Sequence, residues 1–297
     1  MHHSVRFACR VSLCSVLCLL STMAAASPVT IQSLQMPAWL VRDGHNIALE
    51  PGAEMTAGDA VKTGKGGRIL LNMEEGSLVK VGEQGSLALP KLKAPTDPEG
   101  FFEATIRVLK GAFRFTTTAA GQNRRRDISV NIGTITAGIR GTDIWGKSAD
   151  DKDLVCLIEG KITTQRTGEP AFSMQDPLSF YVVPKDQPAL PVGPVTDDQL
   201  AKWAAETELL DGLGVVTTTG RWSVILLSLR DENAAAAFSD RLNQAGYAAH
   251  VVGVDVKGAH WFRVSINRFA SKKDARSFAS YIDGQYGVNG TWLYAAQ

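Results

Sequence analysis

Beyond Arg221 the chain changes its hydrophobic period from one segment to the next, and this alternation limits the fold more than any other feature. "RWSVILLSL" is a strand-length run of aliphatic and β-branched residues. "DENAAAAFSDRLNQAG" has helical composition, with Phe238 and Leu242 one turn apart and Gly246 as a stop. "YAAHVVGVDV" and "HWFRVSINRF" read as strands on either side of the tight turn "KGA". Ser271, with Asp274 three residues on, opens a second helix as a capping box. "NGTWLYA" supplies a last strand.

The order β-α-β-β-α-β predicts a ferredoxin-like sandwich over 221–297, with one antiparallel sheet and both helices on the same face. The other face is left open. Side chains alternate across a strand, so parity divides the residues. Val224, Leu226, Ala249, Val251, Phe262, Val264 and Ile266 fall on the helix side. Ser223, Ile225, Leu227, His250, Val252, Trp261, Arg263 and Ser265 fall on the open side, and Trp292 joins them from the last strand.

Upstream the texture differs. From Ala38 to Gln165, short β runs such as "GRILLNM", "GSLVKVG", "FEATIRVLKGAFRFTT" and "DLVCLIEGKITTQ" are separated by glycine-rich turns, with no long 3.6-residue period. An all-β unit is expected over 38–165, after a short segment at 27–37. "PKLKAPTDPEG" and "AAGQNRRRD" read as polar loops; Arg124–Arg126 form a solvated turn or a contact for an anionic polymer or lipid headgroup. Six of the twelve prolines fall between Pro170 and Pro194. Proline removes a backbone donor, so 166–220 is expected to be a stiff, extended linker. Within it, "TDDQLAKWAAETELL" predicts a short helix capped by Thr196, with Leu200, Trp203, Ala204 and Leu210 toward one side.

The first 26 residues read as an export signal. Arg6 and Arg10 precede a short apolar run, and Ala24 and Ala26 suit cleavage before Ser27. The run is about ten residues, short of the roughly twenty that a membrane span needs. Leu17 before Cys18 fits a lipoprotein signal poorly. Cleavage would remove Cys9, Cys14 and Cys18 and leave Cys156, which excludes an internal disulfide. The mature chain is therefore expected to be exported, soluble and without a membrane span. Its formal net charge of +1 argues against a nucleic-acid partner.

No catalytic constellation is visible. His45, His250 and His260 have no metal-ligand spacing, and no nucleophile elbow, phosphate loop or paired-cysteine motif occurs. No acid/base carboxylate pair suited to glycan hydrolysis stands out. The chain reads as a non-enzyme without cofactor or metal.

Residues 221–297 resemble the SPOR family, through "SVILLSLRDENA", "LNQAGYAAHVV" and "WFRVSINRFASKKDA". The resemblance implies that the open face docks peptidoglycan glycan strands stripped of their stem peptides. Trp261 and Trp292 would then lie in or beside the site. Sugar rings stack their C–H faces on indole, and Arg263 could meet a lactyl carboxylate. Ser265, Ser228, Ile225 and His250 complete the candidate set. The family often carries glutamine and a small residue where this chain has Ile225 and Leu227, so the face should be more apolar than the family's.

Residues 38–165 resemble the FecR-type periplasmic domain, through "AGDAVKTGKGGRILLNMEEGSLVKVG" and "GTITAGIRGTDIWGK". The run Arg140-Gly141-Thr142-Asp143 is expected to be structural, with Gly141 permitting a tight bend and Arg140 pairing with Asp143 or with backbone across it. Together these imply an envelope protein that binds peptidoglycan, with the β unit as scaffold or partner-binding module. The alternative is a periplasmic sensor whose FecR-like unit binds a protein partner.

Overall fold

The computed structural model describes residues 29–95, 100–118 and 125–295. The expected export signal, with three of the cysteines, and Arg124 lie outside them. The fold is mainly β, with three helices: α1 (Asp197–Thr207), α2 (Glu232–Gln244) and α3 (Lys272–Ile282).

The β unit is organised around the 16-residue strand Phe102–Thr117. Its first half pairs with Ser86–Lys93 and, in parallel, with Arg126–Ile132. Its second half pairs with Ser77–Val81 and Asp143–Ser148 in a different sheet. The switch falls at Gly111, where φ is +82° and a Cβ would stand 2.7 Å from the Gly85 Cα. Only glycine tolerates both conditions.

The proline-rich stretch corrects the expectation of an extended linker. Ser179–Pro184 pairs antiparallel with Lys152–Glu159, and Tyr181 and Val183 are buried in the main core. Pro177 precedes this strand and Pro184 ends it, so the prolines bound a ladder rather than interrupt one. Val29–Gln35, within the short leading segment, is also a paired strand, against Arg68–Met73.

The C-terminal unit has the expected element order. Trp222–Leu229 pairs with both Ala259–Phe269 and Trp292–Ala295, and Ala249–Val256 pairs with Ala259–Phe269. In chain order the four strands lie 4-1-3-2. Asp231 caps α2, and Gly246 (φ +84°) follows its end; Ser271 caps α3 by accepting from the Asp274 amide.

The two units share one hydrogen-bonded surface. Val215–Thr217 pairs with Val29–Gln35 on one side, and Val216 stands opposite Phe269 on the other. One apolar core runs through both. Asp274, 2% exposed, holds the join: its Oδ1 accepts from the amides of Gly212, Gly214 and Val215 at 2.8, 3.2 and 3.0 Å. Gln35, also buried, bonds Leu213 O and the Leu210 amide through its two amide atoms. A tether would leave these groups in water; here the connection is packed.

Candidate functional site

Cross-strand pairs define the open face of the C-terminal sheet, because directly opposed residues share a face. Ser265 stands opposite both Ile225 and His250, and Ile225 is also opposite Trp292. Arg263 stands opposite both Ser228 and Val252, and Trp261 opposite Val254.

The first strand departs from simple alternation. Its register shifts between Ile225 and Leu227, so Leu227 pairs with Val264 on the helix side. Leu226 is fully buried, and Leu227 packs against the same core. A β-bulge adds one residue and inverts the parity beyond it. This corrects the placement of Leu227 on the open face. It also turns Ser228 toward Arg263, so the face is more polar than strict alternation predicts.

The candidate residues are not equally available. Trp292 is 40% exposed, and the Arg263 guanidinium lies 5.9 Å from its ring centroid. Trp261 already carries a cation: the Arg230 guanidinium sits 4.0 Å from its ring centroid and donates to the His260 carbonyl at 2.9 Å. Ile225 and Ser265 are buried, at 7% and 4%, in one cross-strand row with Trp292 and His250. His250 is engaged by the other unit, its Nε2 lying 3.2 Å from Glu50 Oε1. That hydrogen bond raises the His250 pKa above its usual value and lowers that of Glu50. Nearby, Arg268 donates to the Pro51 carbonyl at 2.7 Å.

Simple alternation misses Arg230. It comes two residues after Ser228, and its placement is legible only once the bulge is known. Tyr294, 54% exposed, shares the face through its pairing with Ser223.

The RGTD run is differently wired from its expectation. Asp143 pairs with Arg114, Nε to Oδ1 at 2.9 Å and Nη2 to Oδ2 at 2.7 Å, and not with Arg140, which is exposed. The partner lies across the sheet, where side-chain reach rather than sequence proximity decides. Gly141 does take the left-handed turn conformation, at φ +71°. Thr142 is buried, its carbonyl accepting from the Thr117 amide. Arg114 continues to Glu208 at 3.4 Å, which also meets Lys80 at 2.6 Å, so the run is tied to the end of α1. Arg126 is turned inward, donating to Ser77 Oγ and Thr117 Oγ1, rather than lying in a solvated turn. Arg125 lies over the Phe101 ring.

The FecR protein family matches residues 59–163, and the SPOR domain family matches residues 218–289. The chain joins a FecR domain to a SPOR domain. The SPOR domain implies peptidoglycan binding and a link to cell division, and its match covers three of the four strands that build the open face, ending before Trp292–Ala295. FecR and SPOR domains are binding or regulatory modules typical of envelope proteins. Comparison with curated proteins found no match. Two crystal structures of a protein described as a candidate anti-sigma factor from Parabacteroides distasonis ATCC 8503 are similar at 12% and 11% identity. Both have a TM-score of 0.39 and cover 80% of this chain and 99% of theirs. At that score the likeness carries no argument. Among the described residues, no helix is long and apolar enough to cross a membrane, and no three His, Cys, Asp or Glu side chains gather as a metal ion would require.

Proposed function

We propose that this is an exported, non-catalytic envelope protein that binds denuded peptidoglycan strands on the open face of its SPOR sheet. In this reading residues 221–297, a ferredoxin-like unit by its 4-1-3-2 strand order, form the glycan module. Residues 38–165 are the kernel of the FecR scaffold, and the protein acts in the periplasm. The observation that carries the reading is the pairing of indole with guanidinium on the open sheet face: exposed Trp292 beside Arg263, and half-buried Trp261 beside Arg230. Indole supplies the stacking surface for sugar C–H faces, and arginine supplies fixed donors for a lactyl carboxylate. Ser228 adds a hydroxyl between them. His250 serves the join with Glu50 and contributes less to the ligand.

Co-sedimentation with purified sacculi tests this. The chain should pellet more with amidase-treated than with untreated sacculi. Trp292→Ala and Trp261→Ala should each reduce pelleting, with Trp292→Ala the more severe. No pelleting with amidase-treated sacculi would refute it. Release of muropeptides above background would show catalysis instead.

A second reading gives the FecR domain a protein partner and makes the chain a sensor or regulator. It is favoured by the apolar outer face of the β unit, which lies apart from the main core and is covered by one short helix.

A further inference from the structure

The outer side of the FecR unit carries its own apolar cluster: Ala112, Trp145, Leu154, Cys156 and Val182. They come from adjacent strands, so they form a continuous floor. Helix α1 lies on it. Trp203 stacks flat on Trp145, with ring centroids 4.9 Å apart and planes within 4°, and meets Phe180 edge-on at 5.6 Å. Glu206 meets Lys147 at 2.7 Å, and Glu208 meets Lys80 at 2.6 Å. The sheet thus offers an aromatic floor with a cationic rim. The helix answers with an aromatic anchor and acidic groups.

This cover is partial and weakly held. α1 has eleven residues, of which only Thr207 is fully buried. Helices of that length are unstable alone. Its ion pairs are partly exposed, where each contributes little. Prolines 188, 191 and 194 precede the helix, and Gly212 and Gly214, both at positive φ, follow it. Beside it a cleft of about 680 Å³ stays open, bounded by Leu154, Val182, Pro184 and Leu190. The buried indole N–H of Trp145, which lines this cleft, has no hydrogen-bond partner among the described residues.

We propose that this outer face is a helix-docking surface: α1 occupies it in the free protein, and a partner's acidic amphipathic helix bearing an aromatic anchor takes its place. The inference rests on the second reading above and is independent of glycan binding. Charge complementarity selects the occupant, because Lys80, Arg114 and Lys147 line the rim against which acidic side chains already sit. The open cleft gives a larger helix more apolar contact than α1 makes, which is the differential affinity that displacement requires.

The probe is a fluorescein-labelled peptide of residues 195–208, titrated by anisotropy against the full chain. Trp203→Ala removes the internal anchor, so the variant should bind the peptide saturably. Wild type should bind at least about tenfold more weakly, because its competent state is rarely populated. Added salt should weaken binding, and Lys147→Glu in the Trp203→Ala background should weaken it further, by about tenfold. Should Trp203→Ala fail to fold, Glu206→Gln/Glu208→Gln keeps the packing and should raise peptide binding above wild type. Equal binding by wild type and the folded variants, or none by either, would overturn the proposal. So would a dimer of the variant that the peptide does not dissociate, since the occupant would then be a second copy. Sacculus pelleting by Trp203→Ala should stay unchanged, which separates failure here from failure of the glycan reading.

Discussion

Replacing Asp274 tests whether the SPOR and FecR units are one folded body. Its carboxylate is buried, accepts three backbone amides from the 212–215 loop, and meets the Ser271 hydroxyl at the start of α3. Alanine would leave three N–H groups without their acceptor in a site that water reaches poorly. An orphaned buried donor costs about 1–3 kcal/mol, so the three set an upper bound of about 9 kcal/mol, and relaxation of the loop should bring Asp274→Ala to about 3–6 kcal/mol. Asparagine keeps an oxygen for the loop but loses the charge, and should cost about 1–2 kcal/mol. In urea, with a slope of about 3 kcal/mol/M, the alanine midpoint should fall by about 1–2 M and the asparagine midpoint by well under 1 M. Tryptophan fluorescence and circular dichroism should follow a single transition in wild type, because one core spans both units. Two separated phases in Asp274→Ala would show that the join had opened. A midpoint within about 0.3 M of wild type, or equal values for the two variants, would refute the clamp.

Three other outcomes follow from the structure. The His250–Glu50 contact should make stability depend on pH. His250, its pKa raised, contributes fully below its usual 6.5 and loses that contribution as pH rises through its folded value. Glu50, its pKa lowered, contributes above its usual 4.5 and loses that contribution as pH falls through its folded value. The stability difference between wild type and Glu50→Gln, measured by thermal melts, should therefore peak at about pH 5.5 and shrink on both sides; a difference independent of pH would count against the pair. For the bulge, Leu227→Ala should cost about 1–3 kcal/mol in urea, while Ser228→Ala should leave stability nearly unchanged and weaken sacculus pelleting; the reverse pattern would mean the register is wrong. Finally, burial pushes the Cys156 thiol up to about 12, so mass spectrometry should find it unalkylated by iodoacetamide in the folded chain at mildly alkaline pH and labelled once denatured. Labelling at equal rates in both states would contradict that burial.

Local signals carried much of the C-terminal unit. The alternation in "WFRVSINRF" placed Phe262, Val264 and Ile266 opposite to Trp261, Arg263 and Ser265, and Ser271 and Thr196 stand as the caps of α3 and α1. The upstream β texture and the turn at Gly141 were legible for the same reason: strand period, turn chemistry and capping depend on residues a few positions apart. The order of strands in space was not contained in that information.

What the sequence by itself determined was the element order, the face of each regular strand, and two separate family resemblances. Only the tertiary structure decided the rest. The bulge at Leu226–Leu227 depends on which register gives the best fit with Val264 and Ser265, and no local pattern records a one-residue slip. Pro177 and Pro184 looked like breakers because a missing amide is visible in sequence, whereas the lack of any need for that amide at a strand end is not. Asp143 found Arg114 rather than Arg140, Trp203 found Trp145, and Asp274 reached back to Gly212. Each of these pairs spans a distance along the chain that only folding closes, and each brings opposite charge, aromatic surface or orphan amides to the same place.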